Sequence, residues 1–201
     1  MITSLAQSTD SSSTLNKTLK ADLLKMEADD QKYRGVIEAE LINNSSVGTS
    51  KASDTFVAAV KNQDEIDKRN MARLDEIIKQ NGWPGKSLVG EEASQAAFLI
   101  VQHSDLAHQQ NYLPLLKDAA KKGEARPADV AMLEDRILIR RGKKQIYGTQ
   151  VRSGPDTGGK MVLNPIKDEK HVDKRRASVG LMPLKEYLKY FGIEYNPPLR
   201  K

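Results

Sequence analysis

The sequence predicts an α+β fold, predominantly helical, with one β-hairpin and an N-terminal helical hairpin. Three observations carry that expectation. Apolar residues recur at helical spacing through most of the chain. One run, Ala96-Ala97-Phe98-Leu99-Ile100-Val101, has no polar face and belongs in a core. Only Lys144–Arg152, KQIYGTQVR, changes to an alternation of period two before a Gly-rich turn.

Taken in order, residues 1–14 are rich in Ser and Thr and read as a disordered tail. Within them Ile2-Thr3-Ser4-Leu5-Ala6-Gln7 resembles the end of a bacterial secretory signal, with small Ala6 near the cleavage position. A periplasmic or secreted protein is the expectation and a cytoplasmic one the alternative. Leu15–Ile42 reads as one long amphipathic helix with Leu19, Leu23, Met26, Tyr33 through Val36, and Leu41 on its stripe. NNSSVGTSKAS, residues 43–53, is a loop by composition. Asp54–Gln80 is a second helix, apolar through Phe56, Val60, Ile66, Met71, Leu74, Ile77 and Ile78. Residues 15–80 then form a helical hairpin packed on a core domain of residues 81–192, with residues 193–201 an extended tail.

Asn81-Gly82 ends the second helix with a glycine, and Trp83-Pro84-Gly85 turns the chain. Trp83 is expected to plug the core. A helix follows from Glu91, its acidic first turn suited to the macrodipole, and it carries His103 to the edge of the core. Leu106–Lys122 is helical, and Pro127 opens another helix to Arg141 at a position where its missing N–H is harmless. Lys144–Arg152 and Lys160–Leu163 are the strands of the hairpin. Gly148, in mid-strand, weakens the ladder unless something must approach the backbone closely. Asp168 is placed to cap a helix carrying Val172, Arg175 and Arg176, and Pro183–Phe191 is the last helix.

Composition removes several classes of function. With 38% hydrophobic and 29% charged residues the chain has the balance of a globular protein, and no apolar run reaches the roughly 20 residues of a spanning helix. No membrane span is expected. The absence of Cys removes disulfides, thiol nucleophiles and thiolate metal sites. The net charge of +5 is uneven: residues 1–100 hold 12 Lys/Arg against 15 Asp/Glu, and residues 101–201 hold 20 against 12. A basic C-terminal half attracts anions. Aromatics are only 5% and the bases are interleaved with acids, so nucleic acid is not the expected partner. Three His without HxxxH or HExxH spacing predict no metal, and no Gly-rich loop fits a nucleotide cradle, so no cofactor is expected.

The order of motifs resembles a bacterial domain family of unknown function. The residues that carry the resemblance are Gly82-Trp83-Pro84, Ser87 to Gly90, Gln102-His103-Ser104-Asp105, Asp135-Arg136, Gln145 to Gln150, Val172 to Arg176 and Gly180 to Leu184. It spans roughly residues 80–191 and leaves the N-terminal hairpin outside. It implies no particular activity.

His103 is the sharpest candidate for chemistry. A lone His at a core edge is more often structural, yet polar Gln102 and Asp105 flank this one, and imidazole suits a general base. Asp105 lies two positions away and diverges from it on a helix, so an orienting partner must come from elsewhere in the chain. Asp105 with His108 is the better-spaced pair and reads as a surface one. Gln150 and Tyr147 are placed as catalytic companions of His103, orienting a substrate. Gln102, Asp105, Arg136, Gln145, Arg175 and Arg176 are the candidate ligand-binding residues, the guanidiniums suited to an anionic group. The structural alternative pairs Arg136 with Asp173, or Arg175 with Asp135. The functional expectation is a pocket near His103 for a small polar or anionic ligand or a partner peptide. The alternative is a metal-independent hydrolase or transferase with His103 as general acid/base.

Overall fold

The computed structural model describes residues 15–47 and 53–196, the side chains of residues 41–47 and of Pro155 excepted. The expected tail of residues 1–14, the middle of the expected loop at 43–53 and the last five residues lie outside the described residues. Helix α1 (Lys17–Gln31) starts at Asn16, whose side chain accepts the Leu19 N–H at 3.0 Å. It buries Leu19, Leu23, Met26 and Asp30. The long helix expected over 15–42 is broken here, and α2 (Arg34–Val47) resumes after Lys32 and Tyr33, carrying helix into the segment read as loop. The break is held from outside: Gln63 donates to Asp30 O at 2.8 Å and accepts the Tyr33 N–H at 3.3 Å. A buried amide thus satisfies the backbone groups that the interrupted helix leaves open.

Gln63 belongs to α3 (Asp54–Asn81), which Ser53 caps through the Phe56 N–H and Gly82 ends at φ +71°. Its inner face carries Ala59, Gln63, Ile66, Asn70, Leu74 and Ile77, while Val60, expected to face inward, is exposed. Trp83 and Pro84 lead to a single helical turn, α4 (Lys86–Val89), and then to α5 (Glu91–His103). The apolar run lies on α5: Ala96, Ala97, Phe98, Ile100 and Val101 are all buried. Trp83 joins this core, as expected. The most extensive packing of α1 is on α5. Two antiparallel helices, α6 (Leu106–Lys121) and α7 (Pro127–Arg140), close the other side. Burial of each Leu or Phe in this core contributes roughly 1.5–3 kcal/mol.

The β-hairpin is present but short. Strand β1 (Val151–Arg152) pairs antiparallel with β2 (Val162–Leu163), Val151 facing Leu163. The alternation of Lys144–Gln150 does not become strand: Gln145 makes only an isolated bridge to Ile166, and the backbone turns at Gly148, φ +71°. Of the two readings of Gly148, the ladder is lost and the backbone is also closely approached. A Cβ on Gly148 would meet Ile166 Cδ1 at 2.8 Å and Leu184 Cδ1 at 2.9 Å. Helices α8 (Val172–Ser178) and α9 (Leu184–Lys189) complete a second, smaller core of Ile166, Val172, Leu184 and Leu188. Asp168 makes no side-chain cap; its carboxylate holds His171 Nδ1 at 2.8 Å, and Asp173 caps α9 through the Leu184 N–H at 2.8 Å. Among the described residues no helix is long and apolar enough to cross a membrane.

Candidate functional site

The last residue of α5 is where the polar groups of the helical core meet. His103 Nδ1 lies 2.8 Å from Asp30 Oδ2 and 3.1 Å from Oδ1. Asp30 is 1% exposed, and it also accepts from Arg34 Nη2 at 2.6 Å, Arg34 Nε at 3.2 Å and Gln31 Nε2 at 2.6 Å. Burial alone raises the Asp30 carboxyl, but hydrogen bonds from His103 and Arg34 outweigh it and hold the group down to about 2. An ionised carboxylate accepts only, so the hydrogen-bond pattern places a proton on His103 Nδ1, while Nε2 makes no hydrogen bond to the described residues. Arg34 continues the network to Asp67 at 2.8 Å, and Asp67 accepts from Gln63 at 2.7 Å.

His103 borders a cleft of about 410 Å³ between α3 and the ends of α5, α6 and α7. From α3 come Asp64, Asp67, Lys68 and Asp75; from the other side come Asp105, His108 and Arg140. Four carboxylates thus face two permanent cations. Among the described residues no group of three or more His, Asp or Glu has the geometry to hold a metal ion.

The residues selected from sequence divide into two sets. His103, Gln102, Asp105 and Arg136 converge at the α5–α6 junction. Gln102 is buried; with its amide oxygen turned toward the guanidinium it accepts from Arg136 Nε at 2.7 Å and Nη2 at 3.3 Å. Burial, with Arg140 and Arg34 nearby, pushes Arg136 down to about 10, and it does not line the cleft. Asp105 caps α6 through the His108 N–H at 2.9 Å and holds His108 Nδ1 at 2.9 Å, the local pair expected from spacing. Arg140 donates to Ser104 O at 2.7 Å, and Gln109 donates to Gln102 O at 2.8 Å, so the end of α5 is tied down from α6 and α7.

The second set is gathered around the loop 145–150. Asp135, fully buried, accepts the N–H groups of Ile146, Tyr147 and Thr149 and the Thr149 hydroxyl, at 2.6–3.1 Å. Burial raises its carboxyl and these donors lower it, with burial prevailing. From the other side Arg176 donates to Tyr147 O, Gly148 O and Met182 O and lies 4.9 Å over the Tyr187 ring. Arg175 donates to Ile146 O, Lys167 O and Asp168 O. Gln145 donates to Gln150 O and Asn164 O and accepts the Gln150 N–H, while the Gln150 side chain bonds Thr149 Oγ1. The ion pairs considered from sequence, Arg136 with Asp173 and Arg175 with Asp135, do not form. Both aspartates take backbone N–H groups instead, because those donors lie closer at hand in the loop and at the start of α9. None of Gln145, Tyr147, Gln150, Arg175 and Arg176 borders the cleft at His103.

Asp30, Arg34 and Arg140 were not selected from sequence. One signal was available for Asp30. Leu19, Leu23, Met26 and Asp30 follow one another at spacings of four, three and four, so the carboxylate occupies a core position of the α1 stripe. A charge at such a position requires a buried partner.

The chain matches a family model described as a family of unknown function (DUF6624) over residues 17–197. The match takes in α1 to α3, so it extends beyond the stretch of residues 80–191 that carries the motifs and includes Asp30 as well as His103. No curated protein and no solved structure matches the chain.

Proposed function

We propose, for a chain that belongs to the DUF6624 family of unknown function, that the cleft at His103 binds a small polar molecule on which His103 acts as general acid/base. The observation that carries this reading is the Asp30–His103 contact of 2.8 Å at the border of an open cleft. A buried carboxylate on Nδ1 fixes the imidazole tautomer and its orientation, and it presents Nε2 as the atom available for proton transfer. The four carboxylates of the lining favour an uncharged or cationic ligand over an anionic one.

The test is turnover of p-nitrophenyl acetate by the wild-type chain, His103→Gln and Asp30→Asn. His103→Gln keeps a donor for Asp30 and should unfold near the wild-type temperature, while its rate falls about 100-fold, the lower range for loss of a general acid/base. A His103→Gln rate equal to wild type overturns the reading. A non-catalytic receptor is the second reading. It is favoured by the state of Ser104, a hydroxyl of the lining, which is buried and donates to Val101 O at 2.8 Å. Saturable binding of a polar ligand without turnover is its signature.

A further inference from the structure

We propose that His108 is a second catalytic residue of this cleft, and that His103 and His108 work as an acid–base pair in the cleavage or transfer of an uncharged carboxylic ester. The inference rests on the acid/base reading of His103. His108 stands on the first turn of α6, and both imidazoles line the same cleft. Each has its Nδ1 on a carboxylate, Asp30 for His103 at 2.8 Å and Asp105 for His108 at 2.9 Å. Neither Nε2 makes a hydrogen bond among the described residues, although that of His108 has a carboxylate beside it. His108 Nε2 is 3.6 Å from Asp75 Oδ2, within ion-pair distance but too long for a hydrogen bond, and the Tyr112 hydroxyl donates to the other oxygen, Asp75 Oδ1, at 2.5 Å.

A local Asp–His contact is not by itself a sign of function. His171, the third histidine, makes the same contact with Asp168, three positions away, but it is exposed and lies outside the cleft. What sets His108 apart is that it shares a cavity with His103 and with Arg140. Among the described residues Arg140 has no carboxylate within ion-pair distance, and its one direct hydrogen bond is to Ser104 O.

These three groups cover the charge movements of acyl transfer. One imidazole takes the proton of an attacking water or hydroxyl as the new carbon–oxygen bond forms. The negative charge that develops on the carbonyl oxygen faces Arg140. The other imidazole, protonated at the start, gives its proton to the leaving oxygen as the old carbon–oxygen bond breaks. One proton is accepted and one released, and exchange with solvent restores the starting pair. With Ser104 Oγ committed to Val101 O, the attacking oxygen belongs to water or to a second substrate.

The experiment is the pH–rate profile of ethyl acetate hydrolysis by the full chain, followed by release of acetic acid, because an alkoxide leaving group needs the proton, with bis(p-nitrophenyl) phosphate as the anionic comparison. His108→Gln should lower the maximal rate about 100-fold and remove one limb of a bell-shaped profile, leaving the other. Asp105→Asn retains an N-cap of equal quality and should move that same limb alone. His171→Gln should leave rate and profile unchanged. A His108→Gln enzyme with wild-type rate and profile overturns the pair while leaving His103 as the acid/base; no turnover by the wild type overturns both. Turnover of the phosphodiester in preference to the ester overturns the substrate class.

Discussion

Around Asp30 the polar groups are side chains brought together from α1, α2 and α5, and one side of the assembly borders open space. Around Asp135 the partners are the backbone N–H groups of a single loop, with Arg175 and Arg176 taking the carbonyls of that loop. Both carboxylates are buried, and both lie among residues that look equally functional in sequence. Their electrostatics nevertheless run in opposite directions: His103 and Arg34 hold the Asp30 carboxyl down, whereas burial pushes that of Asp135 up. A polar motif residue serves the fold when its atoms are spent on main chain. It is available for chemistry when a partner fixes one atom and leaves another facing a cleft.

The widest separation between the two regions should come from Asp135→Ala. It strands several buried N–H groups at once, each worth roughly 1–3 kcal/mol. A loss of about 3–5 kcal/mol in urea unfolding is expected, a scale seen when a buried partner is removed. A loss below about 1 kcal/mol would mean that the loop does not depend on Asp135, and the comparison breaks. Next is Gly148→Ala, which combines a left-handed backbone with contacts of 2.8 and 2.9 Å to Ile166 and Leu184. It should cost about 2–3 kcal/mol through strain and overpacking, with no effect on the His103 imidazole signals in NMR. Movement of those signals would show that the two regions are not independent.

The smallest effect is in acid. Held at about 2 where a free aspartate titrates near 3.8, Asp30 contributes about 2 kcal/mol that is fully present above pH 4 and is lost as pH falls through 3.8 toward 2. Asp135 has the opposite sign: its raised carboxyl favours the folded state at low pH and loses that contribution as pH rises through its folded value. Asp30→Asn should therefore flatten the acid limb of the stability–pH curve, and Asp135→Asn should steepen it. Parallel acid limbs in the two variants would show that the two carboxylates are not held differently.

The helices on which the site stands were legible where local chemistry determines them. Ser53, Gly82, Asp105 and Pro127 mark boundaries that the structure keeps within a residue or so, and the apolar run at 96–101 placed α5 and brought His103 to a core edge. Two elements were misread for the same reason. The break after α1 depends on Gln63, some thirty residues later, and the loss of strand at 145–150 depends on Asp135, ten or more residues earlier. Local pattern carries no record of a hydrogen bond whose other end lies on a different element.

What the sequence determined by itself is the helical class, most helix ends, the hairpin's position and the placement of His103, because periodicity, caps and glycine turns act over one or two turns of chain. Only the tertiary structure decided which polar residues are spent on backbone and which face a cleft. Asp30 and His103 are 73 positions apart, and it is the packing of α1 on α5 that brings carboxylate and imidazole to 2.8 Å and gives that pair a meaning neither residue has alone.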